Sequence, residues 1–379
     1  MIIAGIPALQ PKGGKTMKTG VKWRSFFGAV MLGGMLCACG GETPGAAAPE
    51  PQETAAEPAQ TQEAAAVTEA AQETVPTEAV TEPAAEQTEI RIGSLKGPTS
   101  IGLLELMDQT QTGEKSGYTF TMETQADALL PKMISGELDI ALVPANVAGV
   151  LYNKTQGGVV VIDINTLGVL YMVSGDTTIG SVADLTGHTI YTTGKGTTPE
   201  YVLQYILEEN GVEAQVEYKS EATEVAAVLA EDPDDVGMLP QPFATVALKK
   251  NDSLQIVLDM TKEWEALDAD SALVTGVTIV RREFLEQHPD AVEAFLKDHE
   301  ASSESAKQNP AEAAEQMVAQ GILENAQIAQ AAIPYCNLVC ITGEEMKTKL
   351  ASYLAVLFDA DPASVGGALP EENFYYTGR

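Results

Sequence analysis

The hydrophobic pattern predicts an α/β fold in two lobes, on three observations. Short apolar strands alternate with amphipathic helices from residue 89 to about residue 270, the signature of a parallel-rich sheet covered by helices. The alternation falls into two clusters, joined by extended crossings at 168–173 and 272–277. Beyond residue 280 the pattern is nearly all helical. Together they imply a discontinuous first lobe, 89–173 and 273–379, with a second lobe, 174–272, inserted into it.

Each element has its own signal. Residues 89–95 (EIRIGSL) alternate like a strand, and Gly97-Pro98-Thr99-Ser100 turns the chain into a helical run from Ile101. A strand over 118–123 and a helix over 126–135 follow, with Gly136 as the helix C-cap. Residues 138–143 (LDIALV) read as a buried strand ending at Pro144, and 159–164 and 169–173 as two more. In the second cluster a short helix at 181–185 precedes strands at 188–192, 216–219, 236–239 and 254–258. Between those strands lie helices at 198–210, 222–231 and 243–249. The strand at 272–280 returns to the first lobe. Helices then follow at 282–287, 290–306, 310–319, 326–333 and 343–358. No short repeat is visible.

The N-terminal part has a different character. Lys18, Lys22 and Arg24 precede a short apolar run, 26–36, too short for a permanent membrane span, and Met17 reads as the true start. Leu36-Cys37-Ala38-Cys39 then resembles a bacterial lipobox, which implies an export signal over 1–38 and lipidation of Cys39. Residues 39–88 are Ala, Glu, Thr, Pro and Gln with few large apolar side chains, a composition that cannot offset the entropy of ordering. Such a tether of roughly 50 residues reaches on the order of 40 Å.

Charge excludes one class of partner. The net charge is -32, and residues 40–89 hold 11 Glu and no basic residue. No basic patch stands out, so no nucleic-acid partner is expected. Cys336 and Cys340, spaced C-x3-C just after Pro334, read as two buried thiols or a small redox loop, and no histidine lies near them in sequence to complete a zinc site. His188, His288 and His299 have no evident Cys or Ser partner, and the common zinc and nucleophile motifs are missing, so neither catalysis, a cofactor nor a metal is expected. Asp232-Pro233-Asp234-Asp235 lacks the calcium-loop pattern and reads as a solvated turn. Trp264 is either a cleft aromatic or a packing residue.

Three stretches carry a family resemblance. The run Ser135-Gly136-Glu137-Leu138-Asp139-Ile140-Ala141 after a helix resembles the "S-G-x-x-D-I-A" step of solute-binding proteins. Asp184-Leu185-Thr186-Gly187-His188-Thr189-Ile190 is similar to the "D-L-x-G-K-x-I" step that opens their second lobe, with His188 where Lys or Arg is usual. Residues 276–284 (GVTIVRREF) look like their return strand. The likeness covers about 89–370 and is nearest the nitrate, sulfonate, taurine and thiamine-pyrimidine group of type II binding proteins. It implies a two-lobed type II periplasmic-binding-protein-like clamshell with a helical C-terminal region. Such a protein works outside the cytoplasm as a monomer, tethered to the membrane by Cys39. It captures a small polar solute, either an oxyanion such as a sulfonate or a pyrimidine-like compound, for an ABC permease and its ATPase. The rival readings are an enzyme on the same fold, of pyrimidine or menaquinone synthesis, and a ligand sensor without transport.

In open α/β sheets ligands collect at the carboxyl ends of strands, near free helix N–H groups. Four turns qualify. Thr99 and Ser100 follow the first strand, where Ser100 either caps the helix or donates to ligand. Asn146 stands in the same position after the 138–143 strand. The turn Thr193-Gly194-Lys195-Gly196-Thr197-Thr198 is, through Lys195, the one cationic loop among the four; Thr197 with Glu200 suggests a capping box and Thr198 before Pro199 a rival cap, leaving one threonine free for ligand. Gln241 and Phe243 follow the 236–239 strand and either contact ligand or form a rigid turn. Thr275 and Gly276 are placed at the hinge.

Overall fold

The computed structural model describes residues 88–378. The export signal, Cys39 and the tether up to residue 87 lie outside the described residues. Among the described residues no helix is long and apolar enough to cross a membrane.

Among the described residues, eleven strands form two sheets. The first six-stranded sheet has the order β11-β4-β10-β3-β1-β2, from β1 (Ile90–Leu95), β2 (Tyr118–Glu123), β3 (Ile140–Pro144), β4 (Val159–Leu167), β10 (Val274–Arg281) and β11 (Leu338–Ile341). The second has the order β7-β6-β8-β5-β9, from β5 (Leu170–Ser174), β6 (Thr189–Thr192), β7 (Gln215–Tyr218), β8 (Val236–Pro240) and β9 (Gln255–Asp259). In the first sheet β1 runs parallel to β2 and β3, while β10 is antiparallel to both β3 and β4. In the second, β6 is parallel to β7 and β8, and β5 is antiparallel to β8 and β9. The parallel-rich expectation needs correction: four pairings are parallel and five antiparallel, four of the latter made by the crossing strands β5 and β10 and the fifth by β11 against β4.

Burial on both faces explains the continuous apolar runs. Ile140 and Leu142 pack with Ile92, Phe295 and Leu106 on one face, whereas Ala141 and Val143 join Leu129, Leu151 and Leu354 on the other. This second cluster continues into the second lobe through Met172, Val202, Ile206 and Met238, so the lobes share apolar core. Trp264 belongs to it: the indole is 1% exposed, donates to Ser271 Oγ at 3.0 Å and lies between Tyr205 and Tyr353. Of the two roles open to it, packing is the one observed.

The lobe boundary needs correction. It was placed after residue 173, but β5 hydrogen-bonds only within the second sheet, so the chain crosses at Gly168-Val169. A side chain at 168 would collide with Leu273 and Thr261 Oγ1, which is why glycine stands there. The C-terminal region is nearly all helical, as expected, with one short strand: Asn337 takes a left-handed φ of 45° just before β11, which pairs with β4.

The motif residues hold the frame. Asp139, 1% exposed, accepts from Arg91 Nε at 2.8 Å and Nη2 at 2.6 Å and from Arg281 Nη2 at 2.8 Å, tying β1 and β10 to the start of β3. Burial alone would raise its pKa, but these bonds outweigh it and hold the carboxyl below the usual range. Asp184 accepts from the Gly180 and Ser181 backbone N–H groups and from Ser181 Oγ, capping the short helix Val182–Leu185.

Candidate functional site

The carboxyl ends of β1, β3 and β4 and the N-terminal ends of β10 and β11 make one edge of the first lobe. In the second lobe the matching edge holds the ends of β6, β8 and β9. Between them is a cavity of about 270 Å³ that takes residues from both lobes. Lys96, Gly97, Pro98 and Ile101 come from the turn after β1, and Gln241, Pro242 and Phe243 from the turn after β8. The C-terminal region closes it with Met317, from the helix Pro310–Ala319, and with Ile322, Leu323 and Cys336 from the connections that follow. A broader depression of about 520 Å³, around Arg281 and Glu286, lies at the opposite end of the first sheet, away from the strand ends where α/β folds place ligands.

The cavity is mostly apolar, with two polar features. Gln241 is 2% exposed, and its Oε1 accepts from Thr245 Oγ1 at 2.8 Å, while Nε2 is buried without a partner. An amide donor left this way costs about 1–3 kcal/mol, and an acceptor in the cavity would satisfy it. Lys96 is exposed at the rim, with Nζ near Gly321. Gly97 has open space where a Cβ would stand, so its backbone is bare to the cavity.

The nine predicted site residues divide. Gln241 lines the cavity. Thr99 and Ser100 lie beneath it: the Thr99 methyl packs where a side chain at Gly276 would collide, and the Ser100 hydroxyl donates to the Leu95 carbonyl. Of the two roles left open for Ser100, its hydroxyl serves the turn. Thr275 is half-buried at a bulge between Val274 and Gly276.

The other turns are tied to the C-terminal segment. Asn146 Nδ2 donates to the Ser364 carbonyl at 3.3 Å. Tyr201, in the helix after the Thr193–Thr198 turn, donates to Asp361 Oδ2 at 3.1 Å. Within that turn Thr197 Oγ1 donates back to the Gly194 carbonyl at 2.6 Å, and Glu200 accepts from the Gly196 N–H, so the expected capping box does not form. The left-handed Gly194 and Gly196 pull the N–H groups into a different path. Thr193 is half-buried, Thr198 pairs with the Tyr353 hydroxyl, and the Lys195 ammonium stands 5.7 Å from the Tyr218 ring centre. The cation at the cavity is therefore Lys96, directly before Gly97, and not Lys195.

A second constellation was missed. Asp163, His299 and Cys340 each offer one donor atom, all within 4.8 Å of one another, although no histidine is near Cys340 in sequence. Both cysteines are free thiols. Burial first, then the charges of Asp163 and Glu300, push the Cys340 thiol up, so it is no ready nucleophile.

Residues 158–313 match the NMT1/THI5-like family model. Similar solved structures include an ABC transporter from Parabacteroides distasonis, 23% identical, with a TM-score of 0.65 over 77% of this chain and 100% of that one. The periplasmic aliphatic sulphonate binding protein SsuA of Escherichia coli is 13% identical, with a TM-score of 0.60 over 76% of this chain and 92% of that one. The alkanesulfonate-binding SsuA of Xanthomonas axonopodis pv. citri, bound to MOPS, is 16% identical, with a TM-score of 0.52 over 76% and 96%. No curated protein sequence matches the chain. The likeness establishes the type II periplasmic-binding-protein fold, two lobes around a hinge.

Proposed function

We propose that this chain is the extracytoplasmic solute-binding lipoprotein of an ABC importer, anchored through Cys39 and handing its solute to a permease and ATPase. The single observation that carries the binding half is the orphaned Gln241 Nε2, buried in a cavity to which both lobes contribute. A donor kept dry and unpaired at an interlobe cavity suits a ligand acceptor. The anchor and the transporter partners rest on the lipobox and on the names of the similar structures.

The cavity's chemistry narrows the solute. Lys96 at the rim favours an anionic end, Gln241 supplies a hydrogen-bond donor, and Ile101, Phe243, Met317 and Leu323 offer an apolar bed. A volume of about 270 Å³ is below the roughly 300–1,000 Å³ of drug-sized sites. A short alkanesulfonate, or a small acid of similar shape, fits better than nitrate, which leaves the apolar bed unused. Work is done by differential affinity: the solute favours the arrangement in which both turns touch it.

A thermal-shift screen of the full chain against alkanesulfonates, nitrate, pyrimidines and amino acids tests this. A specific binder stabilises by about 2.7 kcal/mol at a hundredfold excess over Kd. An affinity that survived combined loss of Lys96 and Gln241 would remove the cavity from the proposal, and a preference for pyrimidines would replace the sulfonate. For the anchor, fatty-acid labelling in cells should vanish in Cys39→Ala; a retained label would move it to Cys37.

A further inference from the structure

We propose that Asp163, His299 and Cys340 form a binding site for a zinc-class divalent transition metal in the first lobe, apart from the solute cavity. The three residues come from β4, from the helix Pro289–Gln308 and from β11. None of them lines the interlobe cavity.

The donor set is the first argument. Thiolate, imidazole and carboxylate are the ligand types zinc takes, at about 2.3 Å for sulfur and about 2.0–2.2 Å for nitrogen and oxygen. Tetrahedral placement at those lengths separates donors by about 3.3–3.7 Å. His299 Nδ1 and Asp163 Oδ2 are 3.1 Å apart, and the sulfur is within 4.8 Å of its partners, so modest side-chain rotation closes the set. One thiolate and one carboxylate balance a divalent charge.

The surroundings are the second. Asp163 and His299 are both fully buried, and among the described residues no Lys or Arg forms an ion pair with Asp163. A buried carboxylate needs a cation or a protonated neighbour. Thr278 Oγ1 donates to Asp163 Oδ1 at 2.8 Å, and Asn165 Nδ2 donates to Thr278 Oγ1 at 3.1 Å, which fixes the carboxylate from behind as metal ligands commonly are fixed. On the other side His299 Nε2 and Ser303 Oγ are buried without partners. A metal on Nδ1 would leave an N–H donor on Nε2, on the side of the ring where the Ser303 hydroxyl also lies, beside Gly102. A cavity of about 260 Å³, lined by Glu300, Ser303, Glu304, Lys307 and Cys340, gives an ion access.

The site would pin the edge strand β11 to the long helix and β4. Asn337, three residues before Cys340, donates from Nδ2 to the Gly168 carbonyl at 2.6 Å. Metal binding would thereby stiffen the strand that clasps the hinge.

The test is Co²⁺ titration of the reduced, chelator-treated full chain at neutral pH. One equivalent should produce thiolate-to-cobalt charge-transfer absorption that zinc abolishes. Cys340→Ser should lose the band, while Cys336→Ser and the paired Cys37→Ser/Cys39→Ser variant keep it. Because a variant can misfold, alkylation of the unaltered chain is read in parallel by mass spectrometry. Zinc should slow modification of Cys340 at least tenfold and leave Cys39 unaffected. No charge-transfer band, a band that survives Cys340→Ser in a folded protein, or unprotected Cys340 overturns the site.

Discussion

Asp139 and Gln241 are both buried polar side chains, and they stand at opposite ends of the lobes' strands. Asp139 has its carboxylate filled by Arg91 and Arg281, at the end of the first sheet away from the cleft. Gln241 has its carbonyl filled by Thr245 and its amide nitrogen left over, at the interlobe cavity. The difference separates a frame from a site. A satisfied buried charge returns its desolvation cost to the protein itself, whereas an unsatisfied buried donor is repaid only by something that binds.

The largest effect should come from breaking the satisfied end. Asp139→Ala leaves two guanidinium groups without their shared acceptor. Loss of one partner of a buried pair costs about 3–5 kcal/mol. Arg91 is 42% exposed and can recover water, so about 3 kcal/mol is expected here. Denaturant unfolding measures it, and at a permissive temperature ligand affinity should be unchanged. A loss below about 1 kcal/mol would show that the cluster is not a frame.

Acid should erase the same difference. The folded-state pKa of Asp139 is lowered, so its contribution is present above the unfolded value of about 3.9 and is lost as pH falls through the folded pKa. The gap in melting temperature between the unaltered chain and Asp139→Asn should hold from neutral pH to about 5 and close below about 4. A gap that widened on acidification would reverse the assigned sign.

Next is the unsatisfied end. Gln241→Leu removes the orphaned donor and should weaken solute binding by about 1–3 kcal/mol, roughly 5- to 150-fold. Stability should change much less than for Asp139→Ala, because the orphan's own cost disappears along with the Thr245 bonds. Calorimetric titration and melting together decide it: stability lost with affinity intact would place Gln241 in the frame.

The same contrast explains what was legible in sequence. Asp139, Asp184 and Gly276 sit in short motifs that can be read from the chain, although only Asp184 is held by its sequence neighbours, so fold class and lobe order followed from pattern. The cavity depends on contacts across long stretches of chain. Met317, Ile322 and Leu323 close it from the C-terminal region, and nothing near Gly97 announces them. The segment around Asp361 and Ser364 returns to engage Tyr201 and Asn146, contacts that no local pattern announces. His299 and Asp163 are 136 residues apart, beyond the range of any spacing motif. Only Lys96 carried a usable signal, a cation directly before the glycine of the first turn.

The smallest effect separates rim from interior. Lys96 is exposed, so its attraction for an anionic solute is screened and worth under about 1 kcal/mol. Lys96→Gln should weaken binding less than about fivefold, and the difference should fade as salt rises towards 1 M, where the Debye length is about 3 Å. The Gln241→Leu loss should persist at that salt, because a buried hydrogen bond is not screened in this way. Titrations at low and high salt therefore sort the two residues. If Lys96→Gln cost as much as Gln241→Leu and the loss survived salt, the lysine would have to reach inside the cavity with the solute's charge buried beside it, and the solute would be held chiefly by its anionic end instead of by its apolar body.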